Sequence, residues 1–512
     1  MLIALSQPAL AGTGPSTTTE PYMQAVAPGV ALTSILTVGD AARNGYRMVG
    51  IPDGLGAYDN RDGTFTVLMN HELTNASGVP RAHGAKGAFV SEWVIDKRTL
   101  AVVSGADLMR KVWQQHVSGA WVAVPATGAN GQTTTFSRLC SADLPPRKAF
   151  WDRATHKGTK NRIFMNGEES GPAFQRGVAH VATGPDKGNS YVLPWAANAN
   201  TGWENLLANP HSGERTVVIG TADGGTNGVY VYVGEKSAWG NDVERAGLVG
   251  GALYRVAVLG GAPENRNTDA GLGLVRNPVS GVYEGSFTLT ADQVASVNVT
   301  ATSFLRPEDS AWDRKNRHRF YFVTTDRPDS AKDSDLNPDV ALGQAGRSRL
   351  WALDFVNSSR PELGGTIRML LDGTPEQSRH QMFDNITVNR DGSLILMEDV
   401  GNNAHNGKVW RYEPKTGEMT QLLKFHPALF GDLGLTRAAP FVGALTKDEE
   451  TSGVIDITDL LERDDEEDRT VYNLFVVQNH KASADTELVE GGQFVLMARQ
   501  VSKRERRERD RD

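Results

Sequence analysis

The sequence lacks much of what would mark several common function classes. Its single cysteine, Cys140, leaves no internal disulfide and no cysteine-cluster zinc site. There is no excess of positive charge: 53 Lys and Arg stand against 61 Asp and Glu, a formal net charge of −8, which argues against a nucleic-acid partner. No apolar run is long enough to span a bilayer. A GxSxG elbow, an HExxH pair and a Walker GxxxxGK[ST] loop are all missing, so serine-hydrolase, zincin and P-loop readings have no local signature. What is present is a chain of 512 residues, 39% hydrophobic and rich in glycine at 54 residues. That is enough apolar material for a core, too long for one ordinary sandwich or bundle, and turn-rich in the manner of an all-β protein.

The ends stand apart. MLIALSQPALAGTGPSTTTEPY sets a short apolar stretch and the small-residue triplet Ala9-Leu10-Ala11 before a Thr-rich linker. It reads as the tail of a secretory signal peptide without its basic start, or as a floppy terminus. The expected division is 1–22 signal remnant and linker, 23–500 catalytic domain and 501–512 a disordered charged tail, with a secreted or periplasmic location.

Between the ends a turn repeats. Asn60-Arg61-Asp62-Gly63 opens the strand-like Thr64 to Met69, and Asn389-Arg390-Asp391-Gly392 opens Ser393 to Met397. Weaker copies stand at Asn161-Arg162, Asn316-Arg317 and Asp468-Arg469, and a sixth turn is drawn through Asp223-Gly224-Gly225. Asx-Gly turns between β-rich runs are hairpin signals, because those residues accept the positive φ of tight turns. The turns recur at intervals of about 80 residues, wide enough for one four-stranded blade with long loops. The expected fold is an all-β propeller of six blades, or seven if the strand-like runs from Ala88 to Val124 form another. A pair of β-sandwiches explains the strands but not the recurring turn.

Residues equidistant from a hairpin turn face each other. His380 then faces Glu398; Cys140 and Asp143 mirror Glu168 and Glu169; Glu450 mirrors His480. Arg306 and Glu308 oppose Thr324 to Asp326, Asp53 opposes His71 with Glu72 beside it, and Glu214 opposes Glu235. Taken singly, polar residues at strand ends are ordinary, since strands exit into solvated loops. Six such ends in a propeller converge on one channel mouth, where crowded carboxylates and histidines call for a metal as countercharge. Mixed His and carboxylate ligation suits Mn, Fe or Zn better than Ca. The Asp-rich loop from Asp326 to Asp339 and the acidic run at 464–468 read as solvated.

Asn70-His71-Glu72, Cys140-Ser141, Gly167-Glu168-Glu169, Arg306-Pro307-Glu308-Asp309, Phe383-Asp384-Asn385, Glu450-Thr451-Ser452-Gly453 and Val477-Gln478-Asn479-His480 resemble, in order and spacing, the PhoX-type β-propeller phosphatases. The resemblance implies a secreted enzyme with a multinuclear metal site, in which Arg306 holds a phosphate oxygen and Glu308 binds metal. Where those phosphatases carry a Cys beside the paired glutamates, this chain has Gly167, and His380 and His480 enrich the site in imidazole. In that respect it is similar to the manganese-dependent β-propeller phosphotriesterases, the haloalkyl organophosphate hydrolases of sphingomonads. That likeness implies a binuclear Mn centre on Glu214, Glu308, His380, Glu398 and His480, with Arg306 and Glu169 catalytic and Fe, Zn or Ca as alternatives. Further candidates are His71, Glu72, Cys140, Glu168, Asp384, Asn385 and Glu450. The implied reaction is hydrolysis of neutral organophosphate triesters by a metal-bridging hydroxide. Triesters are preferred because few basic residues are visible. The alternatives are a PhoX-like phosphomonoesterase, a lactonase-like hydrolase and a non-catalytic propeller with structural Ca.

Overall fold

The Asn60–Gly63 tetrapeptide reverses the chain because Arg61 and Gly63 take φ of 65° and 87° while Asp62 accepts the Thr64 N–H at 3.0 Å. It joins the antiparallel strands Pro52–Asp59 and Thr64–His71. The same turn at 389–392, with Gly392 at φ 90°, joins Phe383–Val388 to Leu394–Glu398. A computed structural model describes residues 12–124, 134–260, 263–265, 271–291, 301–326, 348–373, 380–400, 406–431, 449–461 and 470–501. The Asp-rich loop beyond Asp326, the acidic run at 464–468 and all but the first residue of the charged tail lie outside the described residues.

Among the described residues the strands sort into six fans, each opening with a strand at the centre: Pro52–Asp59, Leu139–Asp143, Asn205–Ala208, Pro307–Trp312, Phe383–Val388 and Glu450–Asp456. Each of these innermost strands touches the next, and the sixth returns to the first, so the ring closes. The all-β propeller architecture is therefore as expected. The runs between Ala88 and Val124 make no further blade: Phe89–Asp96 and Val102–Asp107 complete the first fan, and Lys111–Gln115 and Trp121–Ala123 extend the second. The third and fourth fans are joined at their outer edges by Tyr283–Ala291. Val30–Thr37 pairs with Gly491–Gln500, so the two chain ends complete the sixth fan together. Residues 12–22, expected as linker, pack onto it. Tyr22 N–H donates to Gln493 at 2.7 Å, and Gly12–Thr13 pairs with Val30–Thr37.

The core is divided in the same way. Six apolar clusters each lie between two neighbouring fans. The second strand of a fan serves two of them, because successive side chains point to opposite faces. Phe320 and Phe322 pack toward the third fan while Tyr321 and Val323 pack toward the fifth. This explains why these strands carry consecutive apolar residues rather than an alternating pattern, as in Phe320-Tyr321-Phe322-Val323. Burial of both faces fixes register, since a one-residue slip would exchange the two cores. At the centre the first and second inner strands approach closely: a Cβ on Gly54 would meet Ala142 N at 2.5 Å.

Candidate metal centre

Five of the six innermost strands carry an irregularity near their beginning; the third, Asn205–Ala208, pairs without one. The register slips between Pro52 and Leu55, Leu139 and Ala142, Pro307 and Ser310, Phe383 and Ile386, and Ser452 and Ile455. In each case the inner strand has one residue more than its partner, a β-bulge, which re-aims the side chain there. In four fans the bulge holds Asp53, Cys140, Glu308 and Asp384; Glu204 precedes the third inner strand and Glu450 opens the sixth. Every fan thus delivers one acidic or thiol side chain to the same mouth. Glu72 and Glu169 follow the second strands of the first two fans, and Asp223 and Asp399 stand in the corresponding turns of the third and fifth.

Three groups of donor atoms lie within 4.8 Å of one another: Asp53, Glu72 and Cys140; Cys140, Glu169 and Glu204; and Glu204, Glu308 and Asp384. Because Cys140 and Glu204 are each shared, the groups form one continuous arc. Burial, reinforced by the neighbouring carboxylates, pushes Asp53, Glu204, Glu308, Asp384 and Glu450 well above the ordinary carboxylate range. Burial lifts Glu169 to about 7, with Asp223 and Glu72 adding to it against Arg138. Burial and the surrounding glutamates also raise the Cys140 thiol, whose Sγ lies 3.3 Å from Glu169 Oε2. Glu72 is the exception: burial is the largest single influence and opposes its charge, but Arg138, with Nε 2.8 Å from Oε1, together with Gln478, His480 and Cys140, outweighs it and holds Glu72 low.

The residues fit a metal cluster. Buried carboxylates and one thiol without enough cations to neutralise them are the donor set that multivalent ions satisfy. Glu308 Oε1 is buried and accepts no hydrogen bond, although the Arg306 guanidinium lies 3.0 Å away as an ion pair. Beneath the arc a polar layer holds the inner strands in place. Ser452 Oγ donates to Asp53 at 2.5 Å, Ser141 Oγ to Glu204 at 2.5 Å, Asn385 Nδ2 to Ser141 at 2.8 Å and Asn205 Nδ2 to Asp309 at 2.5 Å. Arg306 reaches the mouth with Nε 3.0 Å and NH2 2.7 Å from Asp223 Oδ2.

Of the sequence-derived candidates, Glu72, Cys140, Glu169, Glu308 and Asp384 share the arc. Arg306 and Glu450 stand beside it, and Asn385 supports it. Others are elsewhere. Glu214 is half-exposed at the opposite end of its hairpin, 3.8 Å from Lys157 Nζ. The Asp223 turn lies on the mouth side and the far turn is Asn209 to Glu214, so the hairpin runs the other way from the expectation. His380 places Nε2 3.0 Å from the Ser348 carbonyl and stacks on Phe383, and burial lowers its pKa to about 4. Glu398 accepts from Gln381 N, Lys408 N and Trp410 Nε1 at 3.0, 3.0 and 2.7 Å, so its carboxylate is spent on tying loop to strand. The bulge sets Phe383 rather than His380 opposite Glu398. Glu168 is fully buried against Arg176, and His71 is held by Gly50 O and Ser91 Oγ. His480 sits at the rim, 2.7 Å from Glu490. Among the described residues no histidine joins a donor group, so the mixed imidazole and carboxylate set is replaced by carboxylates and a thiol.

Sequence reasoning missed Glu204, Arg138 and Asp399, and set Asp53 at the mouth without naming it as a ligand. The available signal for Glu204 was its place just before the apolar run Leu206-Leu207-Ala208.

The family model for alkaline phosphatase PhoX matches residues 202–456. No curated protein matches the chain. Among solved structures, Pseudomonas fluorescens PhoX in complex with vanadate, a transition state analogue, is similar with a TM-score of 0.53 at 13% identity, over 93% of this chain and 96% of that one. A fungal alcohol oxidase of the AA5 family, in complex with copper, has a TM-score of 0.34 at 10% identity, over 93% of this chain and 76% of that one.

Proposed function

The chain belongs to the PhoX-type family, and from that premise we propose that it is a metal-dependent phosphoric ester hydrolase of the alkaline phosphatase kind. The observation that carries this reading is the convergence of one acidic or thiol side chain from each of six fans on a single mouth, with Arg306 beside them. Asp53, Glu72, Cys140, Glu169, Glu204, Glu308 and Asp384 would hold the ions, with Glu450 facing them from the sixth fan. Bound there, metal ions supply Lewis-acid charge beside a phosphoryl oxygen and make water acidic enough to attack.

The chain's own groups do the rest. Arg306 donates to a phosphoryl oxygen as negative charge accumulates on it, and Asp223 fixes the orientation of that guanidinium. Glu169, held between Cys140 Sγ and the Arg138 guanidinium, is placed to take a proton from the attacking water. The bulged backbone and the polar layer beneath it hold these groups in position.

The expectation of neutral triesters rested on imidazole-rich ligation and scarce cations. With His71 and His380 engaged by backbone carbonyls, the carboxylate and thiol arc favours phosphomonoesters, and triesters become the second reading. An oxygen-rich set with one thiol accommodates Mn, Fe or Ca, the Cys140 end preferring the softer ions. Export to the periplasm or medium belongs to the same proposal and is supported by the apolar opening and its small-residue triplet; among the described residues no helix is long and apolar enough to cross a membrane. The test compares initial rates on an aryl phosphate monoester and an aryl diethyl triester, with metal-loaded and chelated protein. Metal-dependent turnover with the monoester faster supports the reading. A faster triester rate moves it to the phosphotriesterases, and no turnover of either ester leaves a binding propeller.

A further inference from the structure

The backbone repeats two residues before the bulged ligands. Ile51, Arg138, Arg306 and Met382 all take positive φ, at 49°, 51°, 59° and 44°. Each offers its carbonyl to the chain leaving the second strand of its own fan: Glu72 N donates to Ile51 O at 2.8 Å, and Glu169 N, Thr325 N and Asp399 N donate to the other three at 3.0 Å. The four positions are equivalent by the symmetry of the fold. A side chain held in the left-handed region is uncommon outside glycine and recurs where the fold over-determines it.

At two of these positions the side chain is apolar and buried, Ile51 and Met382. At the other two it is an arginine that emerges into the mouth, with 48% of the Arg138 side chain exposed and 36% of Arg306. The two are held in the same way. Arg306 bridges Asp223, from the preceding fan, and Glu308 of its own, at 2.7 and 3.0 Å. Arg138 bridges Glu72, from the preceding fan, and Glu169 of its own, at 2.8 and 3.2 Å. Glu204, in the fan between them, belongs to donor groups reached from both sides.

We propose that Arg138 is a second phosphoryl-binding arginine, the symmetry mate of Arg306, and that the two guanidiniums clamp a dianionic phosphate from opposite ends of the arc. This rests on the hydrolase reading above and narrows it, because a pair of arginines rewards the charge of a monoester that a neutral triester lacks. Arg138 holds Glu72 and Glu169 with Nε and one terminal nitrogen, which leaves donors of its planar fork for the ligand.

The test is isothermal titration of metal-loaded protein with inorganic phosphate, alongside KM and kcat for an aryl monoester and metal content by elemental analysis. Arg138→Ala and Arg138→Lys are compared with wild type. The expected result is phosphate affinity weaker by about 10- to 100-fold in Arg138→Ala, the loss of a charged hydrogen bond. KM for the monoester rises in parallel, metal content holds at the wild-type level, and Lys restores part of the affinity. If Arg138→Ala fails to fold, Arg138→Lys decides alone, with a smaller loss in phosphate affinity at unchanged metal content. Unchanged phosphate affinity and KM at full metal content overturn the proposal, as does loss of metal without a separate loss in phosphate binding. A wild type that turns over esters while Arg138 variants match it refutes the clamp alone. A metal-loaded wild type that neither binds phosphate nor turns over esters refutes the hydrolase reading and the clamp together.

Discussion

Adjacent residues Glu168 and Glu169 are predicted to respond in opposite ways to losing their charge. The Glu168 carboxylate is fully buried and accepts from Arg176 Nε at 2.6 Å, Arg176 NH2 at 2.8 Å and Ser137 N at 2.9 Å. Glu168→Ala strands the Arg176 guanidinium, and breaking such a buried pair costs about 3–5 kcal/mol. In a chain of this length that lowers Tm by about 3–5 °C. Burial, with Asp223 and Glu72 adding to it against Arg138, lifts the Glu169 pKa from 4.5 to about 7. Folded protein therefore keeps a proton that unfolded chain loses above 4.5. The penalty is absent below pH 4.5, grows between the two values and is complete above 7. In metal-free protein near pH 8.5 it amounts to about 3 kcal/mol, which Glu169→Gln removes. Urea unfolding of chelated wild type, Glu168→Ala and Glu169→Gln, at about pH 5 and pH 8.5, measures both effects. The account requires Glu168→Ala to be destabilised at each pH, and Glu169→Gln to gain stability at the higher pH while losing metal affinity. Glu169→Gln destabilised at pH 8.5, or Glu168→Ala as stable as wild type, would refute this division of labour.

Other perturbations follow from the same geometry. Burial holds His180, between Asn166 and Ser190, at about 3 against 6.5 when unfolded, so its stabilisation is complete above pH 6.5 and falls away as the pH drops. Wild type should lose about 2 kcal/mol from this group at pH 5. His180→Gln should lose less than wild type between pH 7 and 5, and equal losses by denaturant titration would contradict the assignment. Arg306→Ala should lower kcat by about 100- to 1000-fold at unchanged metal content, the usual cost of one donor to a developing oxyanion. Glu214→Ala, at an exposed site, should leave stability within about 0.5 kcal/mol and metal content unchanged. Glu398→Ala should unfold more easily yet bind metal normally, because it leaves the N–H groups of Gln381, Lys408 and Trp410 without their acceptor.

The architecture was legible where the turn chemistry was explicit. The repeated Asn-Arg-Asp-Gly located the far ends of two hairpins, and mirroring about the turns sent Asp53, Glu72, Cys140, Glu169, Glu308 and Glu450 to one mouth, while Asp384 came from the family resemblance alone. The method failed in the third fan, whose far turn contains Asn209, Pro210, His211 and Gly213 rather than that tetrapeptide. Using the mouth loop at Asp223 as the turn inverted the hairpin, which promoted Glu214 and hid Glu204. Bulges were the second obstacle: an extra residue in the inner strand breaks the mirror symmetry, so the apparent pairing of His380 with Glu398 does not survive. The histidines misled for a chemical reason. His71 and His380 lie next to the site in sequence, but their rings stack on Phe89 and Phe383 and bond to backbone carbonyls, choices that tertiary packing makes and spacing does not reveal. Arg138 was invisible because its role depends on a fold symmetry that sequence similarity does not carry.

The central claim is that the six-fan mouth binds metal through the carboxylate and thiol arc. The most direct measurement is elemental analysis, per chain, of reconstituted wild type beside Glu204→Gln, since Glu204 belongs to two of the three donor groups. The account predicts at least two bound ions in wild type and a clear deficit in folded Glu204→Gln. A wild type that retains no metal, or a variant that retains the full complement, would contradict it.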